Sequence, residues 1–130
     1  MLLSGTTLRA GDSPGAFRNT NFNLLFRERF KMFVHMHNPD NESGQVSAFI
    51  RVGTDYTDNY YEVEIPRLIA TPTGNQSADV VWPAANALDI ALQELIDLKA
   101  NRNRQFGRRT SLPFTQTSAD GHYLITVVGN

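Results

Sequence analysis

The stretch "GTDYTDNYYEVEIP", residues 53–66, decides how this chain is read. Its fourteen positions hold three tyrosines, two aspartates and two glutamates before a proline. That composition suits an acidic, aromatic-lined site, and it equally suits one strand of a sheet that is polar on one side. Periodicity separates the two. Tyr61, Val63 and Ile65 share one face, and Tyr60, Glu62 and Glu64 share the other. Period two with apolar residues inward and acids outward is a half-buried strand, and Pro66 ends its ladder. The preceding "GTDYTDN" is then a connecting turn.

Working outward, "QVSAFIRVG" (45–53) alternates Val46, Ala48, Ile50 and Val52 against Ser47, Phe49 and Arg51, a second strand. Lys31 to His37 alternates Met32, Val34 and Met36 against Phe33, His35 and His37, a third. "NPDNESG" (38–44) between them is dense in turn formers. Three strands joined by short loops imply an antiparallel sheet. "ATPTGNQSAD" (70–79) reads as a loop and "VVW" (80–82) as a short strand. Leu92, Leu95, Ile96 and Lys99 then fall at helical spacing, which predicts one short α-helix near residues 91–101. "QFGRRTSLPFTQTS" (105–118) reads as a loop, and "GHYLITVV" (121–128) as a last strand, apolar on both faces and so central or covered. The expected fold is mostly β, an antiparallel β-sandwich of jelly-roll type. Residues 1–22, rich in Gly, Ser, Thr, Asn and Arg, read as a flexible lead-in to a single domain over 23–130.

The 130 residues suit one domain, and 41% hydrophobic with 19% charged residues is an ordinary globular balance. No apolar run is long enough to span a bilayer as a helix. Cysteine is absent, which excludes disulfides and thiolate metal sites. Net charge is −1, but unevenly spread. Residues 38–97 hold ten acids against Arg51 and Arg67, a balance of −8, while the flanks carry +7. Lys99, Arg102, Arg104, Arg108 and Arg109 follow one another without an intervening acid. Such a segment either lies over the acidic middle or is offered to a partner.

Each candidate for chemistry has a plainer reading. Glu62 and Glu64, two apart on a strand, sit about 6.5–7 Å apart at the backbone, within the carboxyl spacing of an inverting glycosidase. Adjacent positions on one strand do not flank a scissile bond, however, and the same acids protect a sheet edge. His35 and His37 form an H-x-H pair able to set two imidazoles on one metal, but no motif supplies a third ligand. "NPDNESG" and "GTDYTDN" are oxygen-rich enough for calcium, without the EF-hand spacing. Tyr56, Tyr60 and Trp82 could form a platform for a sugar ring, the mark of a carbohydrate-binding module. A pI near 6.3 and no nucleic-acid motif argue against nucleic acid. No phosphate loop, nucleophile elbow or cysteine nucleophile occurs.

Four blocks in order, "FKMFVHMH" (30–37), "VSAFIRVGTDYTDNYYEVEIP" (46–66), "VVWPAANALDIALQELIDLKANRN" (80–103) and "DGHYLITVVGN" (120–130), resemble a segment of the SprA cell-surface proteins. The resemblance covers roughly residues 25–130; "EIPRLIATPTGNQ" departs from the "EIPL" and Pro-Gly turn expected of that family. It implies a segment of a giant outer-membrane translocon of type IX secretion and gliding motility in Bacteroidota. The strands here lack the lipid-facing band of a barrel. The resemblance therefore implies a non-enzymatic domain in the cell envelope, outer membrane-associated, at the cell surface or on the periplasmic side. Its expected partners are other domains of the translocon and secretion-system proteins. No catalytic residue and no cofactor carries over. Tyr60, Glu62, Glu64, Arg102, Arg104, Arg108 and Arg109 are the expected partner-facing residues.

Overall fold

A computed structural model describes residues 9–21, 23–37, 43–107 and 110–129. It is mostly β, as expected, with six strands in two antiparallel sheets among those residues. Strands β1 (Arg29–Phe33), β2 (Ala48–Gly53) and β3 (Tyr60–Ile65) precede a one-turn helix α1 (Ala78–Val81). Strand β4 (Ala87–Ala91) leads straight into α2 (Leu92–Phe106), followed by β5 (Phe114–Thr117) and β6 (Leu124–Val128). β1 pairs with β4, and the larger sheet has the order β2-β3-β6-β5.

The opening stretch folds as its period dictates. Ile50, Val63 and Ile125 lie opposite one another across β2, β3 and β6, as do Val52, Tyr61 and Val127. Val63, Ile65, Ile125 and Val127 are buried. Helix α2 packs against β6, β5 and β4, closing the core with Leu92, Leu95 and Leu98. β6 lies between β3 and β5, and Ile125, Thr126, Val127 and Val128 are all buried, so side chains on both of its faces are covered.

Three local expectations give way, and one strand, β4, lies where none is expected. "VVW" is not a strand. Val80 and Val81 donate their N–H groups to Ser77 O and Trp82 donates to Ala78 O, forming a helical turn that Pro83 ends. "ALDIA" (87–91) is strand β4, with Leu88 and Ile90 buried and Lys31 opposite Asp89. "FTQT" (114–117) is the edge strand β5 rather than loop. Strand β1 starts at Arg29 and ends at Phe33, and Met36 adds only an isolated bridge to Ala70.

The helix also differs in length and face. It runs fifteen residues, not about ten, and buries Leu92, Leu95, Leu98 and Arg102, leaving Ile96 exposed. Ala91 has no side-chain acceptor for its first turn, so Leu92 N–H donates to Glu28 O at 2.9 Å instead. Gly107, in the left-handed region at φ 59°, ends it with an N–H bond to Asn103 O.

Buried polar side chains join the layers. Asn86 accepts from Ile69 N–H at 2.7 Å and donates to Ile69 O at 2.8 Å, imitating a strand pair. Tyr123 Oη accepts from Asp89 N–H and donates to Ala87 O, both at 3.0 Å, fastening β4 to the start of β6. Each satisfies groups that burial would otherwise leave unpaired. No helix among the described residues is long and apolar enough to cross a membrane.

Candidate functional site

The outward face of β2 and β3 is organised around Arg51. Opposite Glu62 in the register, Arg51 donates from Nε to Glu62 Oε2 at 2.6 Å and from Nη1 to Tyr56 O at 2.9 Å. Its guanidinium lies 4.4 Å from the Tyr60 ring centroid and 5.1 Å from that of Phe49. The same cross-strand row continues through Thr126 of β6 to Thr115 of β5, whose hydroxyls are 2.7 Å apart. A polar row thus crosses all four strands.

The turn before β3 is closed by Asp55. Its Oδ1 accepts the N–H groups of Thr57, Asp58 and Asn59 at 3.0, 2.6 and 2.9 Å, and Oδ2 accepts from Asn59 Nδ2 at 2.8 Å. The Asn59 side-chain bond and these backbone donors hold the Asp55 carboxyl well below the usual carboxylate range. The acids and amides of "GTDYTDN" therefore have a turn to maintain, as their types suggest. An open recess of about 370 Å³ beside it is lined by Asp58, Tyr60, Thr110, Ser111 and Val128 among others. Asp58 is its single lining carboxylate among the described residues, and Thr57 Oγ1 donates to it at 3.1 Å.

The proposed sugar platform is divided. Tyr56 and Tyr60 both meet Arg51, and Tyr56 also packs on Phe17 at 5.0 Å and donates to Asn19 Oδ1. Trp82 belongs to another group, 5.3 Å from the His35 ring and 6.4 Å from that of Phe33. His35 and His37 stack with centroids 6.1 Å apart and planes 8° apart. Among the described residues no group of three or more His, Asp or Glu gathers as a metal cluster. Of the second oxygen-rich loop, "NPDNESG", residues 38–42 lie outside the described residues.

The basic segment needs one correction. Arg102, expected on a partner-facing surface, is 1% exposed. Its Nη1 donates to Gly129 O at 2.6 Å, while Nε and Nη2 donate to Asn103 Oδ1 at 3.2 and 3.1 Å. Helical spacing explains this, because Arg102 follows Leu95 by two turns and shares its face. Arg104 is exposed and bonds to Asn101 Oδ1. Arg108 and Arg109 lie outside the described residues. Sequence reasoning also missed Asp89, which binds Arg29 at 2.6 Å and Lys31 at 3.4 Å across β1 and β4. The hydrogen bond from Arg29, chiefly, lowers the Asp89 carboxyl from its ordinary value.

These polar groups mostly hold strands and turns together. The sequence comparison places the chain among motility-related and secretion proteins. The SprA_N family, described as motility related/secretion protein, matches residues 1–130, and the chain belongs to that family. No match is found among curated proteins. The family description is one of motility and secretion, with no enzymatic activity named.

Proposed function

We propose that this chain is a non-catalytic domain of a SprA-like outer-membrane translocon of type IX secretion and gliding motility. It acts in assembly, channel capping or partner contact, at the cell surface or on the periplasmic side. The observation carrying this reading is the family match over the whole chain. The side chains support it. Glu62, a candidate acid on sequence grounds, is engaged by Arg51, and Asp55 is engaged by its own turn.

The surface left for a partner is the outward sheet face around Tyr60 and Glu64, together with Arg104 at the end of α2. A charge reversal in the full-length protein tests it. Glu64→Lys and Arg104→Glu, made separately and together, should reduce secretion and surface spreading and remove envelope cross-links to this domain, with protein level unchanged. Wild-type secretion, spreading and cross-linking in the double variant would rule out this surface. A glycan array binding the 130-residue chain through Trp82 would favour a carbohydrate module instead.

A further inference from the structure

Five alternate residues, Arg29, Lys31, Phe33, His35 and His37, are exposed along one side of the chain, while those between them are partly or fully buried. The last two combine features that an isolated pair of surface histidines lacks. His35 Nδ1 lies 2.8 Å from Val81 O. A carbonyl only accepts, so Nδ1 carries the proton and Nε2 keeps its lone pair. Thr71 Oγ1 lies 3.2 Å from the same nitrogen, and the Trp82 ring packs at 5.3 Å. Tautomer and ring orientation are thereby set before any ligand arrives, the role that outer-shell carbonyls play for ligating histidines. His37, parallel to His35 at 6.1 Å, has no hydrogen bond to its ring nitrogens among the described residues.

The geometry points to a two-imidazole site for a borderline divalent transition ion, with His35 as the fixed ligand and His37 as the closing one. Two nitrogens each about 2.0–2.1 Å from one ion must come closer than the ring separation here. Exposed and unbonded, His37 turns about its side-chain torsions to meet the ion. Water completes the coordination. Among the described residues no carboxylate joins the pair, and imidazole chemistry selects Cu²⁺, Ni²⁺ and Zn²⁺ over Mg²⁺ and Ca²⁺, with Cu²⁺ bound most tightly in the usual order.

Trp82 is the single tryptophan of the chain and packs on His35, so it reports occupancy directly. Titrating Cu²⁺ into the 130-residue chain should quench its fluorescence saturably, and Zn²⁺ should restore emission by competition. His35→Gln and His37→Gln should each abolish the saturable phase, whereas His122→Gln should keep it. Far-UV circular dichroism checks that each variant is folded. His35 also contacts Val81 and Thr71, so His37→Gln decides if His35→Gln disturbs the fold. Unchanged quenching in folded His37→Gln, or its loss in His122→Gln, would overturn the site, as would wild-type protein that shows no saturable quenching.

Discussion

Arg102, inside helix α2, holds the carbonyl of Gly129, the residue just after β6, with a 2.6 Å hydrogen bond. No carboxylate pairs with this buried cation among the described residues; oxygen dipoles of Gly129 and Asn103 take that part. Arg102→Met keeps the apolar stem and removes the fork, leaving Gly129 O unsatisfied. It should cost about 1–3 kcal/mol, the range for a buried hydrogen bond to a charged group. Urea unfolding would show a lower midpoint at an unchanged slope. Equal or greater stability would mean that desolvation of the guanidinium cancels its bonds.

Gly129 itself tolerates no side chain. Its φ is +81°, and a Cβ there would collide with Asp58 O and with Asn59. Left-handed strain adds to overpacking, so Gly129→Ala should cost about 3 kcal/mol or more. Gly44, at φ +86° with open space around it, separates the two causes. Gly44→Ala should cost only about 1–2 kcal/mol by thermal or urea unfolding.

The Arg51–Glu62 pair is partly exposed, at 35% and 16% for the two side chains. A double-mutant cycle with Arg51→Ala and Glu62→Ala should give a coupling of about 0.5–1 kcal/mol that weakens with salt. Arg51→Ala alone should exceed that coupling, at about 1–2 kcal/mol, because it also loses the Tyr60 and Phe49 rings. A coupling of zero at low salt would leave the rings as the main holders of Arg51.

Acid should loosen the fold in a defined window. Asp55, Asp79, Asp89 and Asp120 are all lowered in the folded state, chiefly by side-chain hydrogen bonds from Asn59, Ser77, Arg29 and Ser118 respectively. A lowered folded value contributes stability above the unfolded value, about 3.9, and that contribution fades as pH falls through the folded value. The melting temperature should therefore drop below about pH 4. Asp55→Ala should start lower at neutral pH and decline less steeply, since its share is already gone. Parallel acid profiles for the two proteins would contradict this.

What sequence reveals here depends on where the deciding force lies. β2 and β3 were legible because Ala48, Ile50, Val63 and Ile65 meet one core face at period two. β4 was not, because "ALDIALQEL" alternates briefly within residues that also favour helix, and only pairing with β1 makes Ala87–Ala91 a strand. β5 was hidden by its polar Thr and Gln residues, which an edge strand accepts readily. Arg102 was misread by charge, although its position two turns beyond Leu95 marked the buried face. The grouping of Tyr60 with Arg51 and of Trp82 with His35 is a tertiary property that no spacing encodes.

The absence of a loop between β4 and α2 has a mechanical meaning. Ala91 is the last strand residue and Leu92 the first helical one, and Leu92 N–H is tied back to Glu28 next to β1. Nothing at that junction can act as a hinge. A pull on β1 is handed through β4 to the helix as through a welded crank, and from the helix to the large sheet. Under load, β1, β4 and the helix would move as one stiff part.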